Sequence, residues 1–133
     1  MSVMSRGNGK VESYRDLIVW NRAMDLVDEV YRIAAKLPAI ENYGLRSQLT
    51  RAAYSVPTNV AEGQGRGTMK DFANFLVMAR GSLGELETLL LVSVRQKYIS
   101  PEDIRPAFRL SGEVGKMLTA LRKRLLTPQR GQG

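Results

Sequence analysis

Ser55, Asn59 and Glu62 stand four and then three residues apart in the segment SVPTNVAEGQGR, a spacing that stacks three hydrogen-bonding side chains on one helix face. A second segment, FANFLVMARGSLGELET, offers Arg80 and Ser82 as partners. Arg80 could pair with Glu62, while Asn59 could satisfy the backbone carbonyl that Pro57 leaves without its usual donor. Ser55, Asn59, Glu62, Arg80 and Ser82 are therefore expected to meet in one polar cluster. Two readings of that cluster stand: a buried structural network at a proline kink, or a small ligand pocket. One carboxylate with no imidazole, thiol or positioned metal beside it is poor evidence for catalysis.

The connector Gly63-Gln64-Gly65-Arg66-Gly67 has the look of a phosphate-cradling loop ahead of a helix. No strand precedes it and no Gly-Lys-Ser/Thr follows, so neither nucleotide fingerprint is met. It is expected to end one helix and lead into the next, with Arg66 free to touch a nucleic-acid phosphate. A denser basic set lies toward the C-terminus: Arg105, Arg109, Lys116, Arg122, Lys123 and Arg124 face Glu113 alone, a local balance of +5. Such a set is either a solvated face that offsets a helix dipole or a surface for polyanions, and repetition around an oligomer would multiply its field.

Composition narrows the chemistry further. The chain has 133 residues and 44% hydrophobic content, enough for one domain that buries roughly two thirds of its unfolded surface. Twenty Lys and Arg against thirteen Asp and Glu give a net charge of +7, and arginine, whose planar fork matches phosphate, supplies fourteen of those cations. There is no Cys and no His, which removes thiol nucleophiles, disulfides, imidazole acid–base chemistry and nearly all zinc sites. No enzyme activity, metal or cofactor is expected. The apolar run Leu89–Val92 is too short to span a bilayer, and residues 1–13 lack the apolar core of a secretory signal, so a soluble cytoplasmic protein is expected.

The elements that must position these residues are all helical. Residues 1–13 and 127–133 lack apolar periodicity and are expected to be disordered tails around a four-helix bundle over 14–126. The first helix, about 15–37, carries Trp20, Met24, Val27, Tyr31, Ala34 and Leu37 three or four apart as its core face. A second stripe, Val19, Leu26 and Ile33, is read as a surface for another subunit. The second helix, about 44–62, presents Leu45, Leu49, Ala52, Val56 and Val60; Pro57 should kink it, Ser55 could cap a restart, and Gly63 should stop it.

The third helix, about 68–97, is capped by Thr68 and buries Phe72, Phe75, Leu76, Ala79, Leu83, Leu86, Leu90 and Val94. Gly81 and Gly84 within it are expected to permit close backbone approach, and Leu89–Val92 to meet a second copy. Ser100 and Pro101 open the fourth helix, about 101–126, whose face continues through Ile104, Phe108, Ser111, Val114, Leu118, Leu121 and Leu125. Pro106 should bend or loosen its second turn. Four such helices joined by short loops predict an all-α, up-and-down antiparallel four-helix bundle.

Two ordered motifs carry a family resemblance. Ser55, Pro57 and Asn59 leading into Ala61-Glu62-Gly63 form the first; Phe72, Phe75, Ala79, Gly81, Ser82, Glu85, Leu86, Glu87 and Thr88 form the second. From about Tyr14 to Leu126 the chain resembles the four-helix-bundle proteins encoded by intervening sequences inside bacterial 23S ribosomal RNA genes. Related to these are the accessory variability determinant proteins of diversity-generating retroelements. The resemblance implies a homopentamer and no reaction. The functional expectation is a homo-oligomer that binds RNA or DNA non-specifically through Arg66, Arg105, Arg109, Lys116, Arg122, Lys123 and Arg124. The alternative is an interaction scaffold for a reverse transcriptase or ribonucleoprotein.

Overall fold

The computed structural model describes residues 13–128, so of the tails expected at 1–13 and 127–133 all but residues 13, 127 and 128 lie outside the described residues. Ser13 opens the chain with reciprocal caps: its hydroxyl accepts from the Arg15 N–H at 3.2 Å, and its own N–H donates to Asp16 Oδ2 at 3.1 Å. These bonds close a short 3-10 turn, Tyr14–Asp16. Leu17 is extended and fully buried, and it separates the turn from α1 (Ile18–Ala34). The stretch read as one helix over 15–37 is thus divided, with Asn21 Nδ2 holding the corner by donating to the Arg15 and Leu17 carbonyls at 2.9 Å each. Three longer helices follow: α2 (Leu45–Gln64), α3 (Met69–Arg95) and α4 (Pro101–Leu126). No strand occurs among the described residues.

Around the bundle the packed neighbours are α1 with α2, α2 with α3, α3 with α4 and α4 with α1, while the diagonal pairs stay apart. This is the expected up-and-down four-helix architecture. Leu26, Leu49, Leu76, Leu86, Leu118 and Leu121 fill its centre and exclude solvent almost completely. At the burial of this core, each such side chain stabilises the fold by about 1.5–3 kcal/mol relative to exposure.

The rotation of α1 is the main departure from the sequence reading. Val19, Ala23, Leu26, Val30 and Ile33 are buried, whereas Met24 is 38% and Tyr31 49% exposed. The stripe assigned to another subunit is the core face, and of the stripe expected inside only Ala34 and Leu37 are buried: Trp20 and Val27 pack partly buried at the core's edge, and Met24 and Tyr31 look outward. Both stripes obey helical spacing, but Val19, Leu26 and Ile33 are branched aliphatics that fill a tight interior. Trp20 and Tyr31 carry polar groups that keep a path to water.

Proline interrupts neither α2 nor α4. Pro57 is buried within α2, and the carbonyls flanking the one it orphans receive side-chain donors instead: Ser55 Oγ donates to Ala52 O, Thr58 Oγ1 to Tyr54 O and Asn59 Nδ2 to Ser55 O, each at 2.8 Å. Ser55 therefore caps no restart, and Asn59 does not reach the Ala53 carbonyl. Pro106 sits in the second turn of an unbroken α4, where its missing N–H would have met the carbonyl of exposed Glu102 in the first turn.

Gly63 does not stop α2; it is buried, and the helix runs on to Gln64. The turn falls instead at Gly67, with φ +89°, after which Thr68 Oγ1 accepts the Asp71 N–H at 3.2 Å to cap α3. At the far end of α3, Lys97 adopts φ 64° and the Tyr98 N–H donates to the Ser93 carbonyl at 3.1 Å. Ser100 then opens α4 through a capping box with Asp103, as its sequence signature predicts.

Candidate nucleic-acid interface

Arg105, Arg109, Lys116 and Lys123 fall within about 40° of one another on α4 at 3.6 residues per turn, so they form one straight exposed stripe roughly 27 Å long. The helix faces that way because Ile104, Ala107, Ser111, Val114, Leu118, Leu121 and Leu125 are drawn into the core. Glu113, the single carboxylate among these cations, is engaged by α1: Arg22 donates to its Oε2 through Nε at 2.9 Å and Nη2 at 2.7 Å. Arg22 also contacts Asp25 at 2.9 Å, and those hydrogen bonds hold its guanidinium above its ordinary pKa. Arg105 lies 3.8 Å from Glu102. Among the described residues, Arg109, Lys116, Arg122, Lys123 and Arg124 make no ion pair, and their charge is left to the solvent.

Arg66 stands at the end of the bundle where α4 finishes, since the α2–α3 turn packs against Leu125. Its guanidinium rests on the Phe75 ring, 4.9 Å from the centroid, a contact that fixes the stem and leaves the charge at the surface. Arg66 and Arg122–Arg124 thus share one end. At the opposite end Lys36 Nζ meets Asp103 Oδ1 at 2.8 Å, and the Tyr98 hydroxyl donates to Glu41 Oε2 at 3.1 Å.

The expected polar cluster is not assembled. Arg80 turns away from Glu62 and crosses to α4, donating to the Gly115 carbonyl at 2.8 Å and to Thr119 Oγ1 at 2.7 Å. Ser82 donates to its own Met78 carbonyl at 3.3 Å, and Ser55 and Asn59 bond within α2. The pairing failed because α3 presents Arg80 on the side facing α4 rather than α2, a rotation that residue spacing alone does not set. Glu62 instead borders an open groove of about 480 Å³ with Trp20, Met24, Val27, Tyr54 and Pro57.

Close approach between α2 and α3 occurs at Gly63, where a Cβ would lie 2.6 Å from the Phe75 Cβ. Gly81 and Gly84, expected at that seam, are exposed, and a Cβ on either would meet nothing within 4 Å. Sequence reasoning missed the polar pair behind them: buried Ser111 donates to Glu87 Oε2 at 2.5 Å. A serine at a core position of α4 opposite a glutamate of α3 was the available signal. No group of three or more metal-ligating side chains occurs among the described residues, and no helix there is long and apolar enough to cross a membrane.

The model of the family described as 23S rRNA-intervening sequence protein matches residues 15–120. The chain belongs to that family. This bundle also resembles a crystal structure from Bacteroides thetaiotaomicron, described as a protein of unknown function from the S23 ribosomal protein family. That likeness has a TM-score of 0.73 at 22% identity and covers 80% of this chain and 99% of the other. At that identity it supports the fold of this intervening-sequence family member. Among curated proteins, none matches the chain significantly.

Proposed function

We propose that this intervening-sequence family protein is a non-enzymatic, self-associating bundle that holds RNA or DNA through phosphate contacts along α4. The observation that carries this reading is the stripe of Arg105, Arg109, Lys116 and Lys123, in which Glu113 is engaged by Arg22 and Glu102 approaches only Arg105 at the first turn. Phosphates gain from such a row irrespective of sequence, because the contacts reach no base edge. The lack of His and Cys supports a binding role over a catalytic one.

Self-association is argued from the outward α1–α2 groove, where Trp20, Met24 and Tyr54 surround apolar surface that a second copy could cover. Repetition of α4 around such an assembly would strengthen the attraction for a polyanion.

Charge reversal at Arg109, Lys116 and Lys123 to glutamate is expected to abolish retention of RNA at moderate salt with helix content unchanged. The wild-type protein should show log K falling with log salt by about 0.7–0.9 per phosphate contact. Unchanged binding by the reversed variant would reject this surface. A protein partner retained after nuclease digestion would move the reading to the scaffold for a ribonucleoprotein or reverse transcriptase.

A further inference from the structure

Beside the α4 stripe, between α3 and α4, lie two adjoining depressions of about 360 and 460 Å³. Exposed Arg80 of α3 lines both and crosses between them to α4 through its bonds to Gly115 and Thr119. Lys116 edges the first and Arg122 the second, and neither has an ion-pair partner among the described residues. Glu87, hydrogen-bonded to Ser111, closes the far end of the first depression to anions. The α4 side of the remaining trough is therefore cationic.

The α3 side is different in kind. Apart from Arg80, which crosses to α4, and Glu87 at the far end, the α3 wall is Val77 and Gly81 at the second depression and Gly84 at the first, a strip that carries no charge of its own. Helix-interior glycine lowers helix stability, yet neither Gly81 nor Gly84 admits any close neighbour within the bundle. Their missing side chains leave a flat strip of helix surface open from outside. A trough with cations along one wall and a flat uncharged strip along the other suits a ligand that is itself two-sided.

Resting on the phosphate-binding reading above, we propose that the α3–α4 trough seats a single polynucleotide strand, phosphates along Lys116, Arg80 and Arg122 and bases over Val77, Gly81 and Gly84. A duplex keeps its base faces stacked inside and cannot lay them on the α3 wall. A single strand exposes its base faces, and an uncharged surface can receive them.

Fluorescence anisotropy on the full chain, with a labelled single-stranded oligoribonucleotide and its duplex at one ionic strength, tests this. The single strand is expected to bind about threefold or more tightly than the duplex, less than stacking on an aromatic ring would give because the α3 wall has none. Filling the trough with Gly81→Leu and Gly84→Leu should erase that preference while duplex affinity holds; Val77→Asp provides a second variant at an exposed site. Circular dichroism checks that helix content is kept. Equal affinity for the two forms, or a preference indifferent to all three substitutions, overturns the trough while leaving the α4 stripe standing. Failure of the wild-type protein to bind either form rejects both.

Discussion

Asp103 gathers more donors than any other carboxylate at the α3–α4 corner. Lys36 Nζ reaches one oxygen at 2.8 Å and the Ser100 N–H the other at 2.9 Å. Lys36 first, then the Ser100 backbone and hydroxyl, pull the carboxyl from its ordinary 3.8 to about 2. A depressed folded-state pKa means that its stabilisation is present above the unfolded value and is lost as pH falls through about 2. Asp103→Asn preserves an oxygen for the Ser100 cap but removes the charge. Thermal unfolding should therefore find the wild type more stable than this variant near neutral pH, with the gap closing across the range from about 4 to 2. A gap that persisted at the acid end would show that the charge is not what stabilises this corner. Arg46 supports the neighbouring corner by donating to the Leu37 carbonyl.

Glycine means different things in different helices. At Gly63, alanine would bring a methyl to 2.6 Å from the Phe75 Cβ and 3.0 Å from Phe72 Cδ1, and the first of these is not the end of a flexible side chain. Its better helix propensity cannot offset that overlap, so Gly63→Ala should destabilise the bundle by about 1–3 kcal/mol. Gly81→Ala and Gly84→Ala meet open space and should each stabilise it by up to about 1 kcal/mol. Urea unfolding of the three variants checks the contrast. Equal shifts would mean that α2 and α3 do not approach as closely as Gly63 requires. The two prolines follow the same logic of place: Pro57 lies among side chains that donate to the carbonyls beside its gap, and Pro106 falls where the orphaned carbonyl is close to solvent.

Charge is distributed unevenly over the whole molecule. The cationic stripe runs along the outer face of α4. The end containing the α1–α2 and α3–α4 connections is tied by Lys36–Asp103 and Tyr98–Glu41 but also carries Arg95 and Lys97, which like Arg66 and Arg122–Arg124 at the other end make no ion pair among the described residues. The apolar surface is uneven too, with Met24 and Tyr54 exposed along the α1–α2 groove and Leu91 and Val92 on α3. If a second copy covers that groove, Met24→Glu with Tyr54→Glu should shift the mass measured by light scattering to that of one chain. Helix content should survive, because both residues lie outside the core. A single chain at micromolar concentration in the wild type would remove self-association from the proposed function.

The sequence by itself determined that there are four helices, the N-terminal caps of α3 and α4 and most of the core on α2, α3 and α4, because apolar spacing, Thr68, Ser100 and Pro101 act within a few residues of chain. It also determined the cationic run on α4, since charge and helical period are both local. Only the tertiary structure decided which of two equally periodic stripes on α1 turns inward, and that Arg80 serves α4 instead of Glu62. It alone placed Gly63 inside the seam while leaving Gly81 and Gly84 open. Helical periodicity lists the residues that share a face, but the rotation of each helix about its own axis is set by fitting four side-chain surfaces together at once.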